Sequence, residues 1–189
     1  MPRTPTNELN ALIHEMAIYD SETAYRKLFG FLFNPLFRFS FCMLNSREAA
    51  EEVASDVMLR IWQKRMELLQ VEHVQVYAFV IARNLSLNVL RKNAGYKIVS
   101  LEDIHVDVNN ETPSPEEILI DAENKAGFEM AVNALPTRCK IVFKLIKEEG
   151  LSYKEVAKVL TISPKTVDAH LVTAMAKLSQ ALRAKFYCS

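Results

Sequence analysis

The sequence contains few of the residues from which metal and catalytic sites are built. It has three cysteines, far apart and with no CxxC pair, and four scattered histidines among 189 residues. No cluster of His, Cys and carboxylate residues has ligand spacing, so we expect no enzyme activity, no metal and no cofactor. The odd number of distant cysteines also argues against a disulfide framework and is typical of a reducing cytoplasm.

Long hydrophobic runs are also missing. The most apolar segment, residues 28–44, contains Asn34, Pro35 and Arg38 and is too short to cross a bilayer. The first ten residues have no apolar core, so we do not expect a signal peptide there. Half of the residues are hydrophobic, which is enough for packed cores. The sequence therefore predicts a soluble, cytoplasmic protein.

The chain has no net charge, which at first argues against binding to nucleic acid. The charges are nevertheless unevenly distributed. Residues 96–124 contain 8 Asp and Glu against 1 Lys, whereas residues 125–189 contain 11 Lys and Arg against 5 acids. The neutral total therefore conceals a basic C-terminal unit behind an acidic connector.

Apolar residues recur at helical spacing through most of the chain, which predicts an all-α protein. We expect two small helical domains, residues 9–94 and 114–187, joined by a flexible acidic linker at residues 95–113. The first is predicted to include helices over residues 46–65 and 77–93, and the second about four helices. Residues 1–8 are predicted to be a loose tail, and there is no internal repeat.

One segment of the first domain allows two interpretations. In FGFLF-NP-LFRFSF the aromatic residues alternate, as in two strands joined by a turn. We prefer two helices, with Asn34 as the N-cap of the second and Pro35 in its first turn, because both flanks are helical and no partner strand is found elsewhere.

Two predicted helices carry polar faces of unusual composition. The helix over residues 46–65, capped by Asn45 or Ser46, buries a stripe of Ala50, Val53, Ala54, Val57 and Ile61 and is acidic on its outer face. The helix over residues 77–93 is predicted to bury Ala78, Ile81, Ala82, Leu85 and Val89. On another of its faces, Asn84, Asn88 and Arg91 follow at i, i+4 and i+7. Asparagine is a mediocre helix former, so we interpret this second face as a binding surface.

Residues 151–178 have the pattern of a helix-turn-helix, in which the second helix enters the DNA major groove. Gly150 can end the preceding helix, Ser152 and Glu155 form a capping box, and Ser163 caps the second helix with Pro164 in its first turn. The alternative is an ordinary helical hairpin with a solvated, charged face. Thr161 also stands where many such turns have glycine.

Three stretches in this order resemble the extracytoplasmic-function group of bacterial RNA polymerase sigma factors. AAEEVASDVMLRIW resembles region 2.2, YAFVIARNLSLNVLRKN resembles regions 2.3–2.4, and residues 114–178 resemble region 4. The resemblance covers nearly the whole chain. It departs from the usual pattern at Glu52 and Ser55, where many members have Asp-x-x-Gln, at Met58, usually Phe, and at Asn88, usually acidic.

The resemblance implies three binding surfaces. Core polymerase, through its β′ and β subunits, would bind Glu48, Glu51, Glu52, Ser55, Asp56 and Leu59. The −10 element would bind Lys64, Arg65, Arg83, Asn84, Asn88, Arg91 and Lys92. The −35 element would bind Lys154, Ser163, Lys165, Thr166, Asp168, Ala169, His170 and Thr173.

The resemblance also implies partners and a geometry. The partners would be core polymerase, promoter DNA and an anti-sigma factor, with no small-molecule substrate. A non-template base would flip into a pocket near the connector at residues 67–73. The two promoter elements lie ~17 base pairs or about 60 Å apart, and the 19 linker residues extend to roughly 63 Å.

Two other functions are compatible with parts of this pattern. A two-domain regulator of the LuxR type would bind duplex DNA without polymerase and would not need Arg83, Asn84 or Asn88. A helical adaptor that binds only protein would leave the basic C-terminal unit unexplained.

Overall fold

The computed structural model describes residues 6–94 and 121–186, and all regular structure in these two segments is helical. The predicted all-α class is confirmed. The linker predicted at residues 95–113, and the start of the next predicted helix, lie outside the described residues. The helices are α1 (Thr6–Tyr19), α2 (Glu22–Leu44), α3 (Arg47–Gln63), a short 3₁₀ helix (Glu67–Gln70), α4 (Val74–Asn93), α5 (Asp121–Asn133), α6 (Thr137–Lys147), α7 (Tyr153–Leu160) and α8 (Pro164–Phe186).

The predicted helix break at Asn34 is wrong, because α2 continues through Pro35. The break lies earlier, at Asp20 and Ser21, where Asp20 adopts a left-handed conformation (φ 51°) and the Ser21 hydroxyl accepts a hydrogen bond from the Ala24 N–H. A proline inside a helix costs about 3 kcal/mol. Seven buried residues along α2, among them Leu28 and Leu36, offset that cost. The strand alternative is not adopted.

Two other helix boundaries differ from the prediction. Helix α1 begins at Thr6, within the predicted tail, and α4 begins at Val74, three residues before the predicted start. The buried face of α4 is also rotated relative to the predicted stripe. Of that stripe, Ala78 and Ala82 are buried, whereas Ile81, Leu85 and Val89 are half-buried. The core space is filled by Phe79, whose ring meets Phe39 edge-on at 5.3 Å between centroids.

Helix α2 is the centre of the N-terminal bundle and packs against α1, α3 and α4. Ser46 caps α3, as predicted, and the five residues of the predicted α3 stripe are buried. Asn45 instead ends α2 in a left-handed conformation. Among the described residues, α2 is the one helix whose length and composition would allow it to cross a membrane. Its buried leucines identify it as the core helix of this bundle.

The C-terminal bundle is built from α5 to α8, and its short α7 is fixed at both ends. At the start, the Glu155 N–H donates to the Ser152 hydroxyl and the Ser152 N–H donates to the Glu155 carboxylate at 2.7 Å, which confirms the predicted capping box. Gly150 precedes it with φ 69°, as expected for the residue that ends α6. Buried side chains then pack α7 against α8, namely Val156, Leu160, Val167 and Leu171.

The turn between α7 and α8 is held by a threonine in an unfavourable conformation. Thr161 has φ 57°, and its N–H donates to the Ala157 carbonyl. The Thr166 N–H donates to the Ser163 hydroxyl at 3.0 Å, so the predicted cap of α8 is confirmed. A left-handed conformation is costly for a β-branched residue, and the exposed Thr161 side chain has no burial to offset it.

The two bundles also contact each other, α6 against α2 and α7 against α4. The Arg38 guanidinium donates to the Glu149 carboxylate at 2.8 Å, and the Gln75 amide lies 3.5 Å from the Glu149 carbonyl. A void of about 10 Å³ between α2, α4 and α6 is lined by residues of both bundles, including Phe39, Phe79 and Ile141. The bundles are closely packed there, whereas a cleft of about 910 Å³ separates the α2–α3 turn from α5.

We predict that Thr161→Gly raises the free energy of unfolding by up to about 1 kcal/mol, because glycine adopts this conformation without a Cβ clash. Urea denaturation followed by circular dichroism measures the change. Ser179→Gly, an exposed position inside α8, is the matched control and lowers stability by roughly 1 kcal/mol. A decrease in stability for Thr161→Gly would contradict the left-handed turn.

A second prediction concerns pH. Burial raises the pKa of the Glu149 carboxyl, against the opposing charge of Arg38. A carboxyl group whose pKa is higher in the folded than in the unfolded protein stabilises the folded packing at pH values below the unfolded pKa. This stabilisation is lost as the pH rises through the higher, folded-state pKa. The contact between the bundles should therefore weaken as the pH rises from the ordinary pKa of a glutamate carboxyl through the raised pKa of Glu149.

Small-angle X-ray scattering at a series of pH values tests this prediction through the radius of gyration. Glu149→Gln should stay compact and lose the pH dependence, because its amide is neutral throughout. Arg38→Met should expand the protein at neutral pH, because it leaves a largely buried carboxylate without its guanidinium. If Glu149→Gln expanded and Arg38→Met stayed compact, the conclusion that burial opposes the charge of Glu149 and Arg38 supports it would be refuted.

Candidate nucleic-acid interfaces and docking surface

Helix α8 presents part of the predicted −35 set to solvent. Lys165, Asp168, Ala169 and Thr173 are exposed, on the side of the helix away from the buried Val167. Lys154 on α7 is also exposed. This exposed side of α8 is therefore accessible for insertion into a groove of DNA.

Three other residues of the predicted −35 set are already engaged within the bundle. The hydroxyls of Ser163 and Thr166 share a hydrogen bond of 2.8 Å. The half-buried His170 has its Nδ1 4.0 Å from the Cys139 sulfur. Burial and then the charge of Arg138 lower the pKa of His170, so its imidazole is neutral at physiological pH. These three side chains have less freedom to meet a base than the sequence indicated.

The predicted face of α4 is continuous. Asn84, Asn88, Arg91 and Lys92 are exposed, and Arg83 is half-buried beside them. The Arg83 guanidinium donates to the Asn84 side-chain oxygen at 3.1 Å, and the Arg91 guanidinium donates to that of Asn88 at 3.2 Å. Burial and the nearby charge of Arg91 lower the pKa of Arg83. The structure thus brings amides and guanidiniums together on one side of the helix.

The two basic residues predicted at the end of α3 have partners inside the fold. Lys64 pairs with Glu67 at 2.8 Å. The Arg65 side chain donates to Asp20 at 2.7 Å, donates to the Trp62 carbonyl and lies 4.8 Å from the Trp62 ring centroid. Arg65 therefore connects α3 to the α1–α2 turn, a structural role that the sequence did not indicate.

The outer face of α3 carries the predicted polymerase-binding residues. All six are exposed: Glu48, Glu51, Glu52, Ser55, Asp56 and Leu59. A hydrogen bond with its own backbone and then one from Ser46 lower the pKa of Glu48, which keeps this carboxylate charged at the helix start. The face is acidic along its first three turns and ends on an apolar residue.

Sequence reasoning missed an aromatic groove that adjoins this face. A cleft of about 500 Å³ between α2 and α3 is lined by Glu22, Tyr25, Arg26, Phe29, Leu59 and Trp62. The Tyr25 and Trp62 rings lie 5.0 Å apart, and Phe29 stacks on Phe33 at 4.6 Å between centroids. The sequence alone places Tyr25, Phe29 and Phe33 at the helical spacing of a single stripe that also contains Leu28 and Leu32. The structure buries the two leucines and leaves Phe29 exposed.

Two further observations concern chemistry. Within residues 6–94 and 121–186, no group of three His, Cys, Asp or Glu side chains is arranged to hold a metal ion. Cys42 and Cys139 are free thiols, and burial raises the pKa of each.

Comparison with known families and proteins agrees with this organisation. Residues 25–95 match the model of sigma-70 region 2, and residues 126–178 match that of sigma-70 region 4. The ECF RNA polymerase sigma factor SigE of Mycolicibacterium smegmatis is 24% identical over 136 residues, covering 72% of this chain and 52% of that protein. The ferric citrate uptake sigma factor FecI of Escherichia coli is 26% identical over 132 residues, covering 70% and 75%.

The probable RNA polymerase sigma factor RfaY of Xanthomonas campestris is 24% identical over 184 residues, covering 94% of this chain and 46% of that protein. The chain thus spans about half the length of SigE and RfaY.

Two solved structures have the same fold. The sigma factor RpoE of Bartonella quintana, in complex with the anti-sigma factor NepR, aligns with a TM-score of 0.62 at 18% identity, covering 84% of this chain and 96% of that one. CnrH, in complex with the cytosolic domain of CnrY, aligns with a TM-score of 0.59 at 19% identity, covering 94% and 98%. With both regions matched in order over about two thirds of its length, the chain belongs to the sigma-70 family of RNA polymerase sigma factors, in the extracytoplasmic-function group.

Proposed function

We propose that this protein binds core RNA polymerase and directs promoter-specific transcription initiation in the cytoplasm, without chemistry of its own. The observation that supports the proposal is the presence of two separate exposed faces in one chain, on α4 and α8, that carry polar and basic side chains, together with a third, acidic face on α3. A duplex-binding regulator needs only the face on α8.

The C-terminal bundle would read duplex DNA at the −35 element. The start of α8 offers backbone N–H groups and Lys165 to phosphate, and the outward residues of the helix offer contacts to base edges. Phosphate contacts would set the register and base contacts would supply the sequence preference.

The face on α4 suits an unpaired strand. Asparagine amides both donate and accept, so they can pair with an exposed base edge, and the adjoining arginines can neutralise phosphates. The oxygens of Asn84 and Asn88 already accept hydrogen bonds from guanidiniums, so their side-chain N–H groups are the ones that would donate to a base. A regulator that never melts DNA has no use for such a face, and this favours a sigma factor over the LuxR-type alternative.

Core polymerase would dock on α3. The exposed acids provide charge complementarity, and the adjoining groove supplies Phe29, Leu59 and Trp62 as apolar anchors. Buried aromatic residues often dominate the binding energy of an interface, whereas charges at its rim mainly steer association.

The packed arrangement of the two bundles has to open during this cycle. Contacts between α7 and α4 hold the two DNA faces on adjoining bundles, whereas the promoter elements lie about 60 Å apart. The linker, fully extended, would reach that distance. We propose that an anti-sigma partner binds the closed form, because RpoE of Bartonella quintana, which has the same fold, was solved in complex with one.

The docking surface can be tested by charge reversal. Glu52→Lys with Asp56→Lys should reduce co-purification with core polymerase at least tenfold, because two lysines would face the surface that the acids complement. Glu8→Lys with Glu129→Lys is the matched control, since both acids are exposed and lie on other helices. Equal binding by the two double variants would show that α3 is not the docking surface.

The strand-reading face can be tested by removing its amides. Asn84→Ala with Asn88→Ala should leave binding to duplex DNA unchanged but reduce promoter opening, which is scored by permanganate reactivity of unpaired thymines. A pre-melted promoter should restore part of the activity, because the unstacking cost of a few kcal/mol is then already met. Normal opening by the double variant would exclude this site.

A further inference from the structure

We infer that α8 reads its DNA element mainly through the 5-methyl groups of thymine, by means of an apolar face formed by Ala169, Val172 and Thr173. This inference rests on the proposed binding of α8 in the major groove. It names the chemistry by which the helix would select a sequence, and it adds Val172, which no sequence pattern singled out.

The face follows from the geometry of α8. Val167, Leu171, Ala174 and Leu178 are buried and define the inner side of the helix. At 100° per residue, the opposite side carries Lys165, Ala169, Val172, Thr173 and Ala176, all of them exposed. Val172 is 60% exposed although it is a large apolar residue. From Lys165 to Ala176, this side of the helix has no charge apart from Lys165 and only small or branched side chains, and the exposed Gln180 and Arg183 follow on the same side further along the helix.

Most of the polar side chains in the first three turns of α8 make contacts within the bundle. The hydroxyls of Ser163 and Thr166 bond to each other, and the neutral His170 lies against Cys139. The Thr173 hydroxyl donates to the Ala169 carbonyl at 2.9 Å, so this residue can offer its methyl group outward but no longer its donor.

The remaining outward groups have a narrow chemical range. Lys165 suits phosphate, and the carboxylate of Asp168 can accept only from a donor such as the cytosine amino group. The alanine, valine and threonine methyls can meet one feature of the major groove, the 5-methyl of thymine, because the other base-edge groups there are polar donors and acceptors. Up to Ala176, the outward side of α8 offers no amide side chain and its hydroxyls are engaged within the helix, so this part of α8 favours an element rich in thymine contacts, on either strand.

The test compares two probes that differ only in this methyl group. Polymerase core with the full chain selects from a library of randomised promoter duplexes, synthesised once with thymidine and once with deoxyuridine. Deoxyuridine keeps the pairing and the O4 acceptor but lacks the 5-methyl. We expect enrichment of T·A pairs in the upstream block with thymidine, and a loss of about fourfold in affinity for each contacted methyl with deoxyuridine.

Substitutions test whether the preference for thymidine depends on the apolar face of α8. Val172→Thr replaces one methyl with a hydroxyl at nearly the same shape and an exposed position, so it should fold normally and reduce the preference for thymidine over deoxyuridine about fourfold. Met130→Thr, an exposed apolar residue on α5, is the matched control and should leave the preference unchanged.

The outcomes separate this inference from the proposed function. Enrichment of the same upstream sequence from both libraries would overturn methyl reading and leave promoter recognition intact. The same holds if Val172→Thr keeps the full preference for thymidine. Enrichment from neither library would overturn the proposed function itself, and the inference with it.

Discussion

The arrangement of the whole chain depends on the burial of one side of α2. Its inward residues pack against α1, α3 and α4, and the same helix also contacts α6 of the other bundle. Pro35 costs α2 a backbone hydrogen bond, yet the helix stays continuous because residues on both sides of the proline are buried, Leu32 and Leu36 among them. If α2 ended at Pro35, the position of Arg38, which contacts Glu149 in the second bundle, would no longer be fixed by the core of the first bundle.

What remains outside the two cores determines where the protein can bind. Once α2 and α3 have buried their aliphatic stripes, the aromatic groove and the acidic face are left side by side. Once α8 has buried its own stripe, an exposed surface remains opposite to it, which up to Ala176 carries no charge apart from Lys165. The exposed faces that are available for binding are therefore the complement of the packing.

In this structure the two bundles are in contact, whereas the proposed binding to two distant promoter elements requires them to separate. A buried carboxylate with a raised pKa is a weak point at neutral pH, because burial opposes its charge while Arg38 supports it. Such a contact can hold two small bundles together and still give way when polymerase and DNA bind them separately. A contact made only of apolar side chains would lack this balance between burial and charge.

The sequence by itself determined the helical class, the capping of α7 and α8, and the exposure of Asn84 and Asn88, because these depend on spacing within one helix. It did not determine the course of α2 through Pro35, since local signals favour a break there and only packing against three other helices overrides them. Nor could it assign Arg65 to Asp20, or His170 to Cys139, because these pairs join distant parts of the chain. Of the polar groups that α8 engages, the hydroxyls of Ser163, Thr166 and Thr173 make contacts within four residues, whereas only tertiary structure decided that His170 lies against Cys139.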